Sequence, residues 1–172
     1  MESLVNSIIN LFGGLASMKF GKELIVFIIS LLPILELRGG LLAASLLRVP
    51  AINAYVVSII GNILPVPFIL MFLSKILDWM GNSKIKWMNK LANWLHKKAN
   101  KHKSQIEKYG YLGLILFVGI PLPGTGAWTG CLVATILGLD KKKAFLSTLV
   151  GILLASIIMM FISYGIISNL IN

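Results

Sequence analysis

LIVFIISLLPILELRGGLLAASLL, residues 24–47, decides how the rest of the chain is read. It is long enough for a membrane helix, which needs about 20 apolar residues, yet it is not a plain one. Pro33 removes a backbone donor and crowds the preceding turn. Glu36, Arg38, Gly39 and Gly40 follow at once, so the stretch reads as a helix, a break spanning Pro33 to Gly40, and a second short helix. Ionisable groups inside such a stretch are expensive and mark pathways or pairs.

Working outward, three further apolar stretches cover residues 51–74, 111–139 and 144–167. The second, with Pro65 and Pro67 inside it, reads as a kinked span. The third is broken by Pro121, Pro123, Gly124, Gly126 and Gly130, and the fourth is continuous. Composition agrees: 57% of the 172 residues are hydrophobic and 13% charged, with a mean hydropathy of +0.87. A soluble domain carries far more charge, so an integral membrane protein is expected.

The net charge of +10 would suggest nucleic acid in a soluble protein. Here nine lysines lie between Lys75 and Lys108 and three more form Lys141-Lys142-Lys143. Lysines beside membrane segments are first topology signals and headgroup contacts, so lipid is the expected partner and nucleic acid is excluded. Between the pairs of stretches, Ile85, Met88, Leu91 and Leu95 recur at helical spacing, flanked by Trp87 and Trp94. That predicts an amphipathic helix lying at the membrane surface. His96 and His102 fall on its polar side and have no ligand partners in sequence. Residues 1–22 lack an early basic cluster and read as an interfacial helix, not a leader. The single cysteine, Cys131, permits no intrachain disulfide and no thiolate metal cluster, and no metal or cofactor is expected.

The two halves also match each other. Gly21 corresponds to Gly110 and Lys19-Phe20 to Lys108-Tyr109 at an offset of 89. At an offset of 90, Pro33 corresponds to Pro123, Gly40 to Gly130, Ala44 to Ala134, Tyr55 to Phe145, Ser58 to Thr148 and Gly61 to Gly151. Interrupted segments at corresponding places in two halves are the sequence mark of a transporter site. Placing both lysine clusters on the cytoplasmic side requires the third stretch to enter and turn back. The expected fold is an all-α membrane protein built as an inverted repeat. Each unit is a re-entrant helical hairpin plus one transmembrane helix. The divisions expected are 1–22, repeat 1 over 23–74, a basic linker over 75–108 and repeat 2 over 109–168. Four full spans are the competing model.

Within this plan the substrate or proton pathway is expected at Glu36, Arg38 and Gly39 of the first hairpin. Pro123, Gly124, Thr125, Gly126 and Thr129 of the second are expected there too, with Asn53 and Asn62 lining the cavity between the halves. Pro33, Gly40, Pro121 and Gly130 mark the breaks. An arginine's planar fork suits phosphate or carboxylate, while a desolvated carboxylate can take up a proton. The Pro121–Gly126 tip resembles no Walker loop, since no Gly-Lys-Ser/Thr follows. No His or Asp lies in the broken segments, which argues against an intramembrane enzyme.

Leu35-Glu36-Leu37-Arg38-Gly39-Gly40 together with Pro121-Leu122-Pro123-Gly124-Thr125-Gly126-Ala127-Trp128-Thr129-Gly130 resembles the small multidrug export protein family. That family is similar to a compact form of the DedA superfamily, and the resemblance runs from about Gly21 to Gly165. It implies a bacterial or archaeal plasma-membrane protein with two re-entrant hairpins. In the wider superfamily, acidic and arginine residues of the hairpins are linked to function, and some members are proposed to move undecaprenyl phosphate or other phospholipids. Glu36 would match the embedded acidic residue, Arg38 its basic neighbour and Pro123-Gly124 the second turn. Unlike many members, this chain has no arginine between Tyr111 and Leu139. Three functions follow as expectations: transport or scrambling of a small or lipid-linked anion with proton coupling open, proton-coupled export of small cations, or a non-transporting scaffold. A homodimer is open as the assembly.

Overall fold

The computed structural model describes residues 2–12, 14, 18–82 and 85–165; the side chains of Glu2, Lys98, Ala99, Lys101, His102, Lys103, Ser104, Gln105 and Glu107 lie outside what is described. Among the described residues all the regular structure is helical: α1 (Glu2–Leu11), α2 (Gly21–Leu31), α3 (Glu36–Leu46), α4 (Ala51–Ile63), α5 (Pro65–Gly81), α6 (Lys86–Gly119), α7 (Ala127–Ile136) and α8 (Lys141–Met160), which ends in a π-helical turn, Phe161–Gly165. Two apolar helical runs among these residues are long enough to cross a membrane, Ala51–Gly81 and Lys141–Gly165. The first contains Pro65 and Pro67, yet Leu64 keeps helical dihedrals, so α4 and α5 continue one another.

The chain divides into two compact units, residues 1–64 with 152–172, and residues 65–151. In the first, α2 and α3 pack on each other and both pack on α4. The α2 helix ends because Leu32 is extended (φ −72°, ψ 138°), the conformation imposed on a residue before proline. The α3 helix then starts at Glu36. Gly39 and Gly40 therefore lie inside a helix and not in the break, which corrects the reading of Gly40 as a breaking residue. Their smallness serves packing: a Cβ on Gly40 would overlap the Ser30 hydroxyl. Gly61 of α4 is equally tight, since a Cβ there would sit 2.8 Å from the Phe27 carbonyl oxygen and 2.9 Å from Ser30 Cβ. The α1 helix is more than interfacial. Val5 is buried and shares a core with Ile25, Ile29, Leu35 and Ala43.

In the second unit α6 and α7 form the corresponding pair, both packed against α5. Ile120, before Pro121, is again extended (φ −84°, ψ 120°) and ends α6. Gly130 falls within α7, so it too packs and does not break; a Cβ on it would lie 2.7 Å from Val118. One on Gly151 would lie 2.6 Å from Val118 Cβ and 2.9 Å from the Ile115 carbonyl oxygen. The α6 element is two helical segments meeting at a kink at Gly110 (φ 56°, ψ −132°): the hairpin's first arm follows it and the basic linker precedes it. Its inward face is Met88 and Ala92 against Met80, while Ile85, Leu91, Trp87 and Trp94 are exposed. The expected apolar face is thus split, because packing on α5 claims only one edge of it.

Both helix pairs close alike. Arg48 N–H donates to the Ser45 carbonyl (3.1 Å) and Val49 N–H to Ala44 (2.9 Å). Ninety residues on, Gly138 N–H donates to Thr135 (3.1 Å) and Leu139 N–H to Ala134 (3.0 Å). This is the Schellman pattern, whose C′ residue adopts the left-handed region: Arg48 has φ 55° and Gly138 φ 66°. A lysine covers an aromatic ring before each pair, Lys19 over Phe20 (5.6 Å) and Lys108 over Tyr109 (5.2 Å).

Candidate functional site

The chemistry concentrates at the start of α3. Glu36 and Arg38, opposite charges two residues apart, are 5% and 7% exposed. Residues at i and i+2 of a regular helix diverge. Here the first of them is not regular: Glu36 has φ 51°, a left-handed value that costs a side-chain-bearing residue about 1 kcal/mol. Such outliers concentrate at functional sites. The Glu36 amide still donates to the Leu32 carbonyl (2.9 Å), so the break is compact.

The facing helix adds polar atoms. The four-residue connection makes α3 and α4 antiparallel, and Ser58 Oγ would lie 3.1 Å from a Cβ on Gly40. One turn from that contact, Glu36 on α3 and Asn62 on α4 come to the same level, since i and i+4 share a helix face. Asn62 is 2% exposed. Among the described residues, its Oδ1 and the Ser58 hydroxyl are buried with no hydrogen-bond partner, at a cost of about 1–3 kcal/mol for each such group. Ser58 was legible in sequence only as a match to Thr148; its burial makes it a candidate. Asn53 is exposed, on the first turn of α4.

The second hairpin's tip has no charge. Leu122 N–H donates to Ile120 (2.8 Å), and the Thr125 hydroxyl reaches the Ile120 and Leu122 carbonyls (3.0 and 2.8 Å). That hydroxyl therefore braces its own turn. Gly124 (φ 84°) and Gly126 (φ 133°) hold backbone that side chains disfavour. Pro123 and Gly124 are exposed and Thr129 is buried. Among the described residues, no group of three His, Cys, Asp or Glu is placed to hold a metal ion.

A family model described as "Putative small multi-drug export protein" matches residues 36–158. The chain belongs to that family. No curated protein and no solved structure matches it. The match opens on Glu36, at the start of α3, and runs through the second broken segment into α8. The chain is accordingly a multi-pass membrane protein of a transport-associated family.

Proposed function

We propose that this family member carries a small or lipid-linked anion across a prokaryotic plasma membrane, with Glu36 exchanging a proton during the cycle. The observation that carries the reading is the buried Glu36–Arg38 pair at a break between two short helices. The α2 and α3 helices have 11 residues each, which gives each a rise of about 16 Å, roughly half a hydrocarbon core of about 30 Å. Packed on each other as membrane segments, they favour a hairpin that enters and turns back, with Glu36 and Arg38 near the midplane. The arm from Tyr111 to Gly119 and the 10-residue α7 are as short. Support for re-entrance on the lysine-rich side comes from Lys141, whose Nζ lies 3.5 Å from the Met71 carbonyl oxygen, about 30 Å of helix after Ala51. The matching breaks and C-caps support the inverted repeat.

In this reading Arg38 holds the anion, Glu36 releases it by its charge state, and Gly39, Asn53 and Asn62 line the approach. Pro123, Gly124, Gly126 and Thr129 present backbone and hydroxyl to the solute in the second hairpin, with Thr125 keeping the turn open. In low dielectric an anion and an arginine attract each other more strongly than in water, which offsets the cost of desolvating both. The second reading, export of small cations, is favoured by the acceptors Glu36 and Asn62 Oδ1 and by the family's description. A scaffold is the third.

Flux in reconstituted vesicles separates them. Under an imposed pH gradient, lipid phosphates are expected to move and cationic dyes to remain. Glu36→Gln should remove the pH dependence and Arg38→Gln the flux. Movement of dye cations alone would favour the second reading. No solute-dependent flux in folded protein would favour the scaffold.

A further inference from the structure

The second unit contains a groove the transport reading does not use. It lies between the start of α5 (Pro67, Leu70, Met71) and the start of α8 (Lys141, Lys142, Phe145, Leu146), with a cavity of about 390 Å³. That is the lower end of ligand-binding clefts. Its walls are apolar side chains at helical spacing, and its rim is cationic. Asp140, the nearest carboxylate, is engaged as the cap of α8: its Oδ1 accepts from Lys143 N–H (2.9 Å). Lys143 leans over the Tyr111 ring at 5.8 Å, and Lys141 reaches the Met71 carbonyl oxygen. The rim therefore keeps an excess of positive charge at the end of a membrane-spanning run.

The geometry points to a binding site for an anionic phospholipid, its phosphate on Lys141 and Lys142 and one acyl chain along Leu70, Met71, Phe145 and Leu146. An apolar groove facing lipid is filled by acyl chains whatever the headgroup. The lysines select the headgroup, because each basic residue at the surface favours anionic lipid. A zwitterionic lipid satisfies the groove and leaves the rim uncompensated; a soluble phosphate does the reverse. The site needs only the membrane setting and would stand if nothing were transported.

Native mass spectrometry of the full chain in detergent, titrated with phosphatidylglycerol or phosphatidylcholine, tests it. One phosphatidylglycerol should be retained about thirtyfold more tightly than phosphatidylcholine, as the two lysines imply. Two changes should each abolish that preference: Lys141→Gln with Lys142→Gln, and the groove-filling Met71→Trp. Lys86→Gln with Lys90→Gln, which removes equal charge elsewhere, should leave it unchanged. Leu146→Trp replaces Met71→Trp if circular dichroism shows the latter misfolded. Equal retention of the two lipids would overturn the site. So would a preference that survives filling the groove, which would reduce the lysines to diffuse surface charge. Competition by inorganic phosphate at equal concentration would overturn the part given to the acyl chain.

Discussion

The two helix pairs share a backbone plan and differ in what they place on it. Each first helix stops at the residue before a proline, Leu32 or Ile120, and each second helix closes in a Schellman turn, at Arg48 or Gly138. At the left-handed positions the second pair has glycine, Gly126 and Gly138, where backbone freedom costs nothing. The first pair has Glu36 and Arg48 at the corresponding places. A fold that tolerates glycine at both sites does not need side chains there. At Glu36 the left-handed residue is also buried and has the charged Arg38 two positions on.

That contrast can be broken at its strongest point. Arg38→Gln should reduce flux by about tenfold or more, since a hydrogen bond to a charged group is worth about 1.5–3 kcal/mol, and Glu36→Gln should leave flux that no longer responds to pH. Thr125→Val in the uncharged hairpin should change flux less than threefold. Equal losses at the two tips would remove the functional asymmetry. Glu36→Gly sharpens the same point, because it relaxes the backbone and should still abolish pH-dependent flux.

Close packing should be where the pairs behave alike. Gly61→Ala and Gly151→Ala each push a methyl against a backbone carbonyl and a Cβ, so each should lower stability by about 2–3 kcal/mol, read as thermal unfolding in detergent. A difference above about 2 kcal/mol between them would mean the crossings are not equivalent. Thr125→Val should cost about 1 kcal/mol through the lost turn hydrogen bond. The smallest effect belongs to the caps. Arg48→Gly should stabilise by about 0.5–1 kcal/mol and Gly138→Arg should destabilise by a similar amount.

Much of this contrast was legible in the sequence. Pro33 and Pro121 announced the breaks because proline constrains its predecessor, and Glu36 and Arg38 stood out as charges in an apolar run. Gly40 and Gly130 misled, since a glycine permits a break and a close helix crossing equally, and only the neighbours Ser30 and Val118 decide between them. The linker misled for a related reason: its periodicity was helical, but which edge faced inward depended on Met80, on another helix. Val5 was silent and Ser58 showed only as a repeat match, because their roles come from contacts and not from local pattern.

The central claim is that the two hairpins enter the membrane from opposite faces. Single cysteines in place of Leu46 and Lys142, both exposed, in a Cys131→Ala background test it with a membrane-impermeant maleimide on sealed, oriented vesicles. Re-entrant hairpins predict that the two sites label from opposite sides. Labelling of both from the same side would require four full spans and contradict the account.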